Sequence, residues 1–290
     1  MTSCLRDFVA KKILCHKGSK ARLVPSNRES FTKKLNVSIF AFCKKLVNHF
    51  MEEFNAGKRA AVESMFNSIA WRYDFLNHFL SFGTDHWWRR KAVSIISQYK
   101  TKPRILDVAT GTGDLAIASL KSDPVKVTGI DISEKMLEMG RNKILKRGLT
   151  DKIELLRGDS EQIDFVDNSF DVAMVAFGVR NFSDPLKGLS EMCRVTKPGG
   201  MLMVLEFSKP STFPFKQLYN FYFLKILPLF GRLFSKDKAA YSYLPESVMR
   251  FPDNEAFLKL VALAGFVNEV QIKLTGGIAS IYTGIKPSEQ

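Results

Sequence analysis

Asp107 and Asp131 are the two carboxylates whose placement suggests chemistry. Asp107 lies inside an apolar run that breaks into Gly111-Thr112-Gly113 and resumes with helix formers, in the segment RILDVATGTGDLA (104–116). Glycines directly after a short apolar run let backbone N–H groups approach a ligand at the start of the next helix. Gly111, Gly113 and Ala116 also fit the GxGxxG/A dinucleotide pattern, but so short a pattern equally serves plain strand-to-helix packing. The flanking acids favour one ligand over another. A carboxylate buried in a strand is costly unless a cation or a set of donors faces it. Asp131 closes the next apolar run, KVTGID, 18 residues after Gly113, about the spacing at which an acid receives ribose hydroxyls. Adenosine beside a positive centre describes S-adenosylmethionine, whose ammonium and sulfonium carry charge where NAD carries a pyrophosphate.

The elements that must hold these acids are legible as alternating strand and helix signals, the pattern of a parallel sheet with helices on both faces. After the glycine loop, Ser133 caps a helix EKMLEMGRNKILKR that Gly148 ends. KIELLRGDS reads as the third strand, ending on Asp159, and FDVAMVAFG as the fourth. Asp184 and Pro185 open a helix that Pro198-Gly199-Gly200 stops, before the fifth strand MLMVLEF. FVNEVQIKL (266–274) and IASIYTGI (278–285) are joined by Thr275-Gly276-Gly277, a turn short enough to require an antiparallel pair. Five parallel strands closed by an antiparallel hairpin describe an α/β, Rossmann-like seven-stranded sheet of the class I methyltransferase type. Ahead of the sheet, residues 58–97 read as a helical lid around the aromatic stretch AWRYDFLNHFLSFGTDHWWRRKA, which packs as core or lines a hydrophobic pocket.

Composition narrows the functional classes. The formal charge is +14, and residues 1–50 hold eleven Lys/Arg against Asp7 and Glu29, leaving only +5 on the other 240 residues. That surplus does not indicate a nucleic-acid binder. The basic head lacks a signal-peptide core; it is a transit peptide, a disordered tail, or upstream sequence preceding a start at Met51. Cys4, Cys15, Cys43 and Cys193 form no CxxC pair and the four histidines no zinc-type spacing, so neither disulfide nor metal is expected. The longest uncharged run is Leu274 to Ile285, short of a spanning helix. A cytoplasmic enzyme is expected, or one of an organelle matrix if the head is a transit peptide. The insertion 213–248 is aromatic and basic together, so between Phe213 and Phe234 it either caps the sheet core or touches a bilayer.

Three segments name a family. YDFLNHFLSFGTDHWW (73–88), FGVRN (177–181) and RVTKPGGMLMVLEFSKP (194–210) resemble the signature regions of the UbiE/MenG quinone C-methyltransferases, and the likeness covers about residues 58–286. It implies methylation of a ring carbon of a polyprenylated quinol with S-adenosylmethionine, in menaquinone or ubiquinone synthesis, with demethylmenaquinol the closer match. It also implies collection of a membrane-resident substrate by peripheral contact with the bilayer; a homodimer stays open. The alternatives are a benzoquinol substrate, another lipid or small-molecule methyltransferase, and a non-catalytic subunit that binds prenyl lipid. Thr84-Asp85-His86 departs from the family's usual Ile-His-Arg, and Ala176 replaces a serine of some members.

By position, the resemblance places donor contacts on Thr112, Asp131, Asp159 and Ser160, joining Asp107, Gly111 and Gly113. Asp159 suits the adenine amino group. The chemistry requires the reduced ring, because a quinol hydroxyl that loses its proton pushes electron density onto the neighbouring carbon. Arg180 and Asn181 follow the fourth strand at its carboxyl end, where open α/β sheets place ligands, and could hold the quinolate oxygen. An arginine tying down a loop acid is the other reading of Arg180. Tyr73 and Asp74, from the lid, would orient the ring or relay its proton.

Overall fold

The computed structural model describes residues 55–68, 70, 81, 83–221 and 238–288. The basic head, Tyr73 and Asp74 lie outside the described residues, as does 222–237 of the insertion. A first helix, α1 (55–68), precedes α2 (Thr84–Tyr99). There follow β1 (Arg104–Val108), α3 (Asp114–Ser119), β2 (Lys126–Asp131), α4 (Glu134–Lys146), β3 (Ile153–Arg157), β4 (Phe170–Ala176), α5 (Pro185–Val195) and β5 (Thr196–Phe207). The chain closes with α6 (Phe215–Phe221), α7 (Lys238–Arg250), α8 (Glu255–Leu263), β6 (Val267–Leu274) and β7 (Ala279–Ile285).

The strands form one seven-stranded sheet in the order β3-β2-β1-β4-β5-β7-β6. β7 runs antiparallel to both β5 and β6, and every other pairing is parallel. The expected closing hairpin is therefore present, turned by Thr275–Gly277 with Gly276 at φ 65° and Gly277 at φ 95°. Side chains alternate across β1, so Leu106 and Val108 join the core beneath α5 and α8, while Ile105 joins the core beneath α2, α3 and α4. Asp107 shares the face of Ile105.

Local rules set the helix ends. Ser133 caps α4, its hydroxyl accepting from Met136 N–H. At the other end Leu149 N–H bonds the Ile144 carbonyl and Gly148 N–H the Leu145 carbonyl, the Schellman pattern that Gly148 permits at φ 65°. Asp184 caps α5 with Pro185 in its first turn. Two boundaries differ from expectation. α5 ends at Val195, ahead of Pro198-Gly199-Gly200, because β5 already begins at Thr196, which pairs with Phe170. β3 ends at Arg157, and Asp159 lies beyond it in an isolated bridge to Gln162.

Packing beneath the glycine loop tolerates no added atoms. A Cβ on Gly129 of β2 would lie 2.6 Å from Leu155 Cδ2 and 2.8 Å from Thr110 Oγ1. Gly129→Val should therefore lower stability by about 1–3 kcal/mol through overpacking, seen as a fall in the thermal midpoint. An unchanged midpoint would mean that the loop gives way freely.

Candidate active site

Asp107 is fully buried in the central strand, and the structure answers it incompletely. Thr110 Oγ1 donates to Asp107 Oδ2 at 2.6 Å and the Ala116 backbone N–H also faces the carboxylate, but Oδ1 has no hydrogen bond of good geometry. Burial is the main cause that raises its pKa from 3.8 to about 7, with the Asp131 charge adding to it. The nearest cationic influence is Arg89 of α2. Arg89 is itself buried, 2.6 Å from Asp85 Oδ2 and 3.7 Å from Asp114 Oδ2. Asp85 thus supplies the partner that holds Arg89, and Ser81 Oγ donates to Asp85 in turn.

Above Asp107 the chain turns sharply. Ala109 lies at φ 53°, Gly111 at φ 56° and Gly113 at φ 79°, with Gly113 forming the N-cap of α3. Gly111 N–H donates to Asp131 Oδ2 at 2.8 Å, and Ser133 N–H to Oδ1 at 2.8 Å. Ile132 N–H is a third backbone donor to this carboxylate, which with about four lone-pair sites still has room to receive a hydroxyl. Its pKa is raised, chiefly by burial. Thr112 is buried, and its hydroxyl accepts from Lys143 of α4.

The switch between β1 and β4 is where the strand order reverses and where such sheets bind ligands. A cleft opens there. Gly111 and Asp131 line one side, Asp159 and Ser160 the end beyond β3, Phe177 and Asn181 the β4 side, and Arg59 with Phe66 of α1 the roof. Of the residues singled out in the sequence, the fold gathers Gly111, Asp131, Asp159, Ser160 and Asn181 around this space. Asp107, Thr112, Gly113 and Arg180 are not among its lining residues.

Asp159 already has a partner. Arg59 Nη1 lies 2.6 Å from Asp159 Oδ2, Arg59 Nη2 is 3.0 Å from Glu161 Oε2, and Asp159 Oδ1 caps Glu161 N–H. Lys58 Nζ donates to the Phe182 carbonyl at 2.6 Å, and Ser133 Oγ to Asn67 at 2.7 Å. These contacts lay α1 across the carboxyl ends of the strands.

Arg180 occupies the short turn Val179–Asn181. Its Nη1 pairs with Glu206 Oε1 at 2.9 Å and also donates to the Phe177 carbonyl, while Nε is buried without a partner. Glu206, on β5, is completely buried; burial raises its pKa and Arg180 opposes that. The reading of Arg180 as tying down an acid is present in this geometry, with Glu206 as the acid. Asn181 points its Oδ1 at the hydroxyl of Tyr243, which donates at 2.9 Å.

Sequence reasoning passed over Arg59, Glu206 and Tyr243, and it placed Arg89 only within the aromatic lid stretch. Glu206 had a signal, since an acid inside MLMVLEF repeats the oddity of Asp107 inside RILDV. Arg59 and Tyr243 had none, because their partners lie 100 and 62 residues away.

The chain can now be set beside known proteins. The sequence pattern of the ubiE/COQ5 methyltransferase family matches residues 53–286. A protein of Bacteroides fragilis named demethylmenaquinone methyltransferase is 47% identical over 235 residues, covering 80% of this chain and 95% of that one. A Geotalea daltonii protein named ubiquinone/menaquinone biosynthesis C-methyltransferase UbiE is 50% identical over 231 residues, covering 79% and 97%. Among solved structures, a SAM-dependent methyltransferase from Thermotoga maritima superposes with a TM-score of 0.55 at 21% identity, covering 78% of this chain and 99% of that one, which bears on the fold alone.

The titration of Asp107 has a measurable consequence. Its folded pKa is raised, so between pH 3.8 and about 7 the folded state binds more protons than the unfolded state, and stability falls as pH rises through that window. Asp107→Asn should remove this slope, gaining on wild type toward pH 8 by on the order of 4 kcal/mol and losing the gain toward pH 4. Parallel stability profiles for the two proteins would place the raised pKa elsewhere.

Proposed function

The chain belongs to the ubiE/COQ5 methyltransferase family, and from that membership we propose C-methylation of a polyprenylated quinol ring as its reaction, with demethylmenaquinol as the substrate. It is an S-adenosylmethionine-dependent methyltransferase of menaquinone or ubiquinone biosynthesis. The cleft supports this reading because it joins two chemistries in one space, the acidic wall of Asp131 and the neutral amide of Asn181.

The residues present fit a cationic, adenosine-bearing donor. Asp107 Oδ1 is an unanswered buried acceptor beneath the loop, and Asp131 faces the cleft. We assign Asp131 to the ribose hydroxyls, the backbone of Gly111 to Gly113 to close approach, and Asp159 with Ser160 to the adenine end. When bound, S-adenosylmethionine supplies an electrophilic methyl group on a sulfonium that becomes a neutral thioether. Asp107 then contributes negative potential under the positive centre, with Arg89 setting how negative.

On the other side, the quinol hydroxyl must release a proton before its ring carbon is nucleophilic. Asn181 donates to the oxygen as charge develops, and Arg180 adds positive potential from behind it, moderated by Glu206. The ring carbon forms its bond to methyl with the electron pair that ionisation makes available as the carbon–sulfur bond breaks; the resulting dienone then loses its ring hydrogen as a proton and the oxygen takes one proton back, which restores the aromatic quinol. The net release is one proton. The lid residues Tyr73 and Asp74 complete this proposal as groups that orient the ring.

The direct test is transfer of labelled methyl from S-adenosylmethionine to reduced demethylmenaquinone, compared with the demethylated benzoquinol and with the oxidised quinone. The naphthoquinol should be methylated at carbon, and the quinone should be inert. Asp131→Ala should weaken donor binding by about 30- to 1,000-fold, the worth of a charge-assisted hydrogen-bond pair. Unlabelled quinol with wild-type protein would reject the substrate, and unchanged affinity in a folded Asp131→Ala would reject the ribose assignment.

For access to substrate we propose peripheral membrane contact through the start of the insertion. Among the described residues no helix is long and apolar enough to cross a membrane. α6 has one side fixed, with Tyr219 buried and the Phe215 ring against Gly276 of the hairpin turn. Phe213, Leu218 and Phe221 are left 80%, 63% and 58% exposed. Apolar side chains presented this way beside Lys216 suit an interface carrying anionic lipid. Replacing all three by serine should reduce co-sedimentation with anionic vesicles and turnover of a long-tailed quinol, while a tailless naphthoquinol is still methylated. Equal vesicle binding would move the membrane contact off α6.

A further inference from the structure

We propose that Tyr243 is a positioning residue for methyl transfer: its hydroxyl, carried by α7 from beyond the insertion, fixes the Asn181 amide so that the amide nitrogen is the group offered to the quinol oxygen. The inference rests on the quinol reading above and deepens it.

An asparagine beside a reacting hydroxyl is ambiguous by itself. Its carbonyl would accept from the quinol and keep it protonated, whereas its nitrogen would donate to the oxyanion and promote ionisation. Only the second helps. Two neighbours decide between them here. Tyr243 donates to Asn181 Oδ1 at 2.9 Å, and on the other side Asn181 Nδ2 faces the Phe177 carbonyl at 3.4 Å. Reversing the amide would set two acceptor oxygens against each other at Phe177, so the orientation is chosen from both sides. Phe177 itself is held at φ 55°, and Asn181 N–H bonds the Gly178 carbonyl, so the turn carrying the amide is closely specified.

The hydroxyl stays a donor in its surroundings. Burial is the main cause that raises the Tyr243 pKa, opposed by Arg180 of the neighbouring turn and Arg250 of its own helix and supported by Glu206 of β5. Lys58 of α1 donates to the Phe182 carbonyl, and Lys209, just past β5, donates to the Met249 and Phe251 carbonyls at the end of α7, beside Asp253. None of these groups is bonded to the Tyr243 hydroxyl, which is committed to Asn181. The consequence is a link between two parts of the molecule. The far end of the insertion, whose near end carries the exposed α6 apolars, places the atom that orients the amide at the reacting end of the substrate.

The experiment compares the full-length wild type, Tyr243→Phe, Asn181→Ala and the double variant. Donor affinity is measured by calorimetry with S-adenosylhomocysteine, and initial rates are measured with a tailless demethylated naphthoquinol across pH. Tyr243→Phe keeps the ring and removes one oxygen. It should bind the donor as wild type does, keep KM for the quinol within about twofold, and lose about tenfold in kcat, the scale of one misdirected donor. Its acidic limb should move up by about one pH unit, and the deficit should shrink at high pH where the quinol ionises unaided. In the Asn181→Ala background, Tyr243→Phe should add no further loss. A merely structural tyrosine would lower the rate equally at every pH and additively with Asn181→Ala, and either result overturns the inference. Wild-type kcat and pH profile in Tyr243→Phe would do so as well. No methylation of quinol by the wild type would defeat the quinol reading, and this inference with it.

Discussion

A carboxylate inside an apolar parallel strand has to be answered by something, and much of this structure follows from how Asp107 is answered. Thr110 satisfies one oxygen, and the other is left without a hydrogen bond in a fully buried position. Arg89 approaches but is itself neutralised by Asp85 and Asp114. The result is an acid whose pKa stands near 7 because burial outweighs the donors that face it. The tight packing of Gly129 against Thr110 and Leu155 keeps that arrangement in place.

The same device recurs on β5. Glu206 is buried in the strand that flanks β4, and Arg180 lies against it with one nitrogen unpartnered. The two acids differ in sign of effect. Asp107 presents unanswered negative charge where a positive donor is expected, whereas the Glu206–Arg180 pair tempers a cation behind Asn181, where the proposed substrate becomes an anion. Charge development at the two ends of a methyl transfer is opposite, and in the proposed reaction the two buried acids would act in opposite senses.

α1 adds the third boundary. Its contacts to the loops after β2, β3 and β4 are mostly ionic or hydrogen-bonded, with only Val62 buried among the apolar residues in its middle. Polar contacts of this kind are individually weak. A roof held by them can close a cleft without being locked over it. Arg59 also pairs with Asp159, so the roof and the end of the cleft beyond β3 are joined by one ion pair.

The architecture was readable from local chemistry: strand runs, the Ser133 and Asp184 caps, the Gly148 stop and the Thr275-Gly276-Gly277 hairpin each follow from neighbouring residues, and each recurs in the structure. The glycine loop, Asp107 and Asp131 were legible for the same reason, since composition and spacing along one strand and turn carry the signal. What only the tertiary structure decided is which groups complete those residues. Arg89 reaching Asp85 and Asp114, Arg59 reaching Asp159, Glu206 holding Arg180 and Tyr243 orienting Asn181 all join elements distant in the chain. Periodicity and caps act over a few residues, whereas the sheet order brings together the ends of strands that are far apart in sequence. The long apolar strand around Glu206 showed that an acid was buried; only the fold could show that its partner was Arg180.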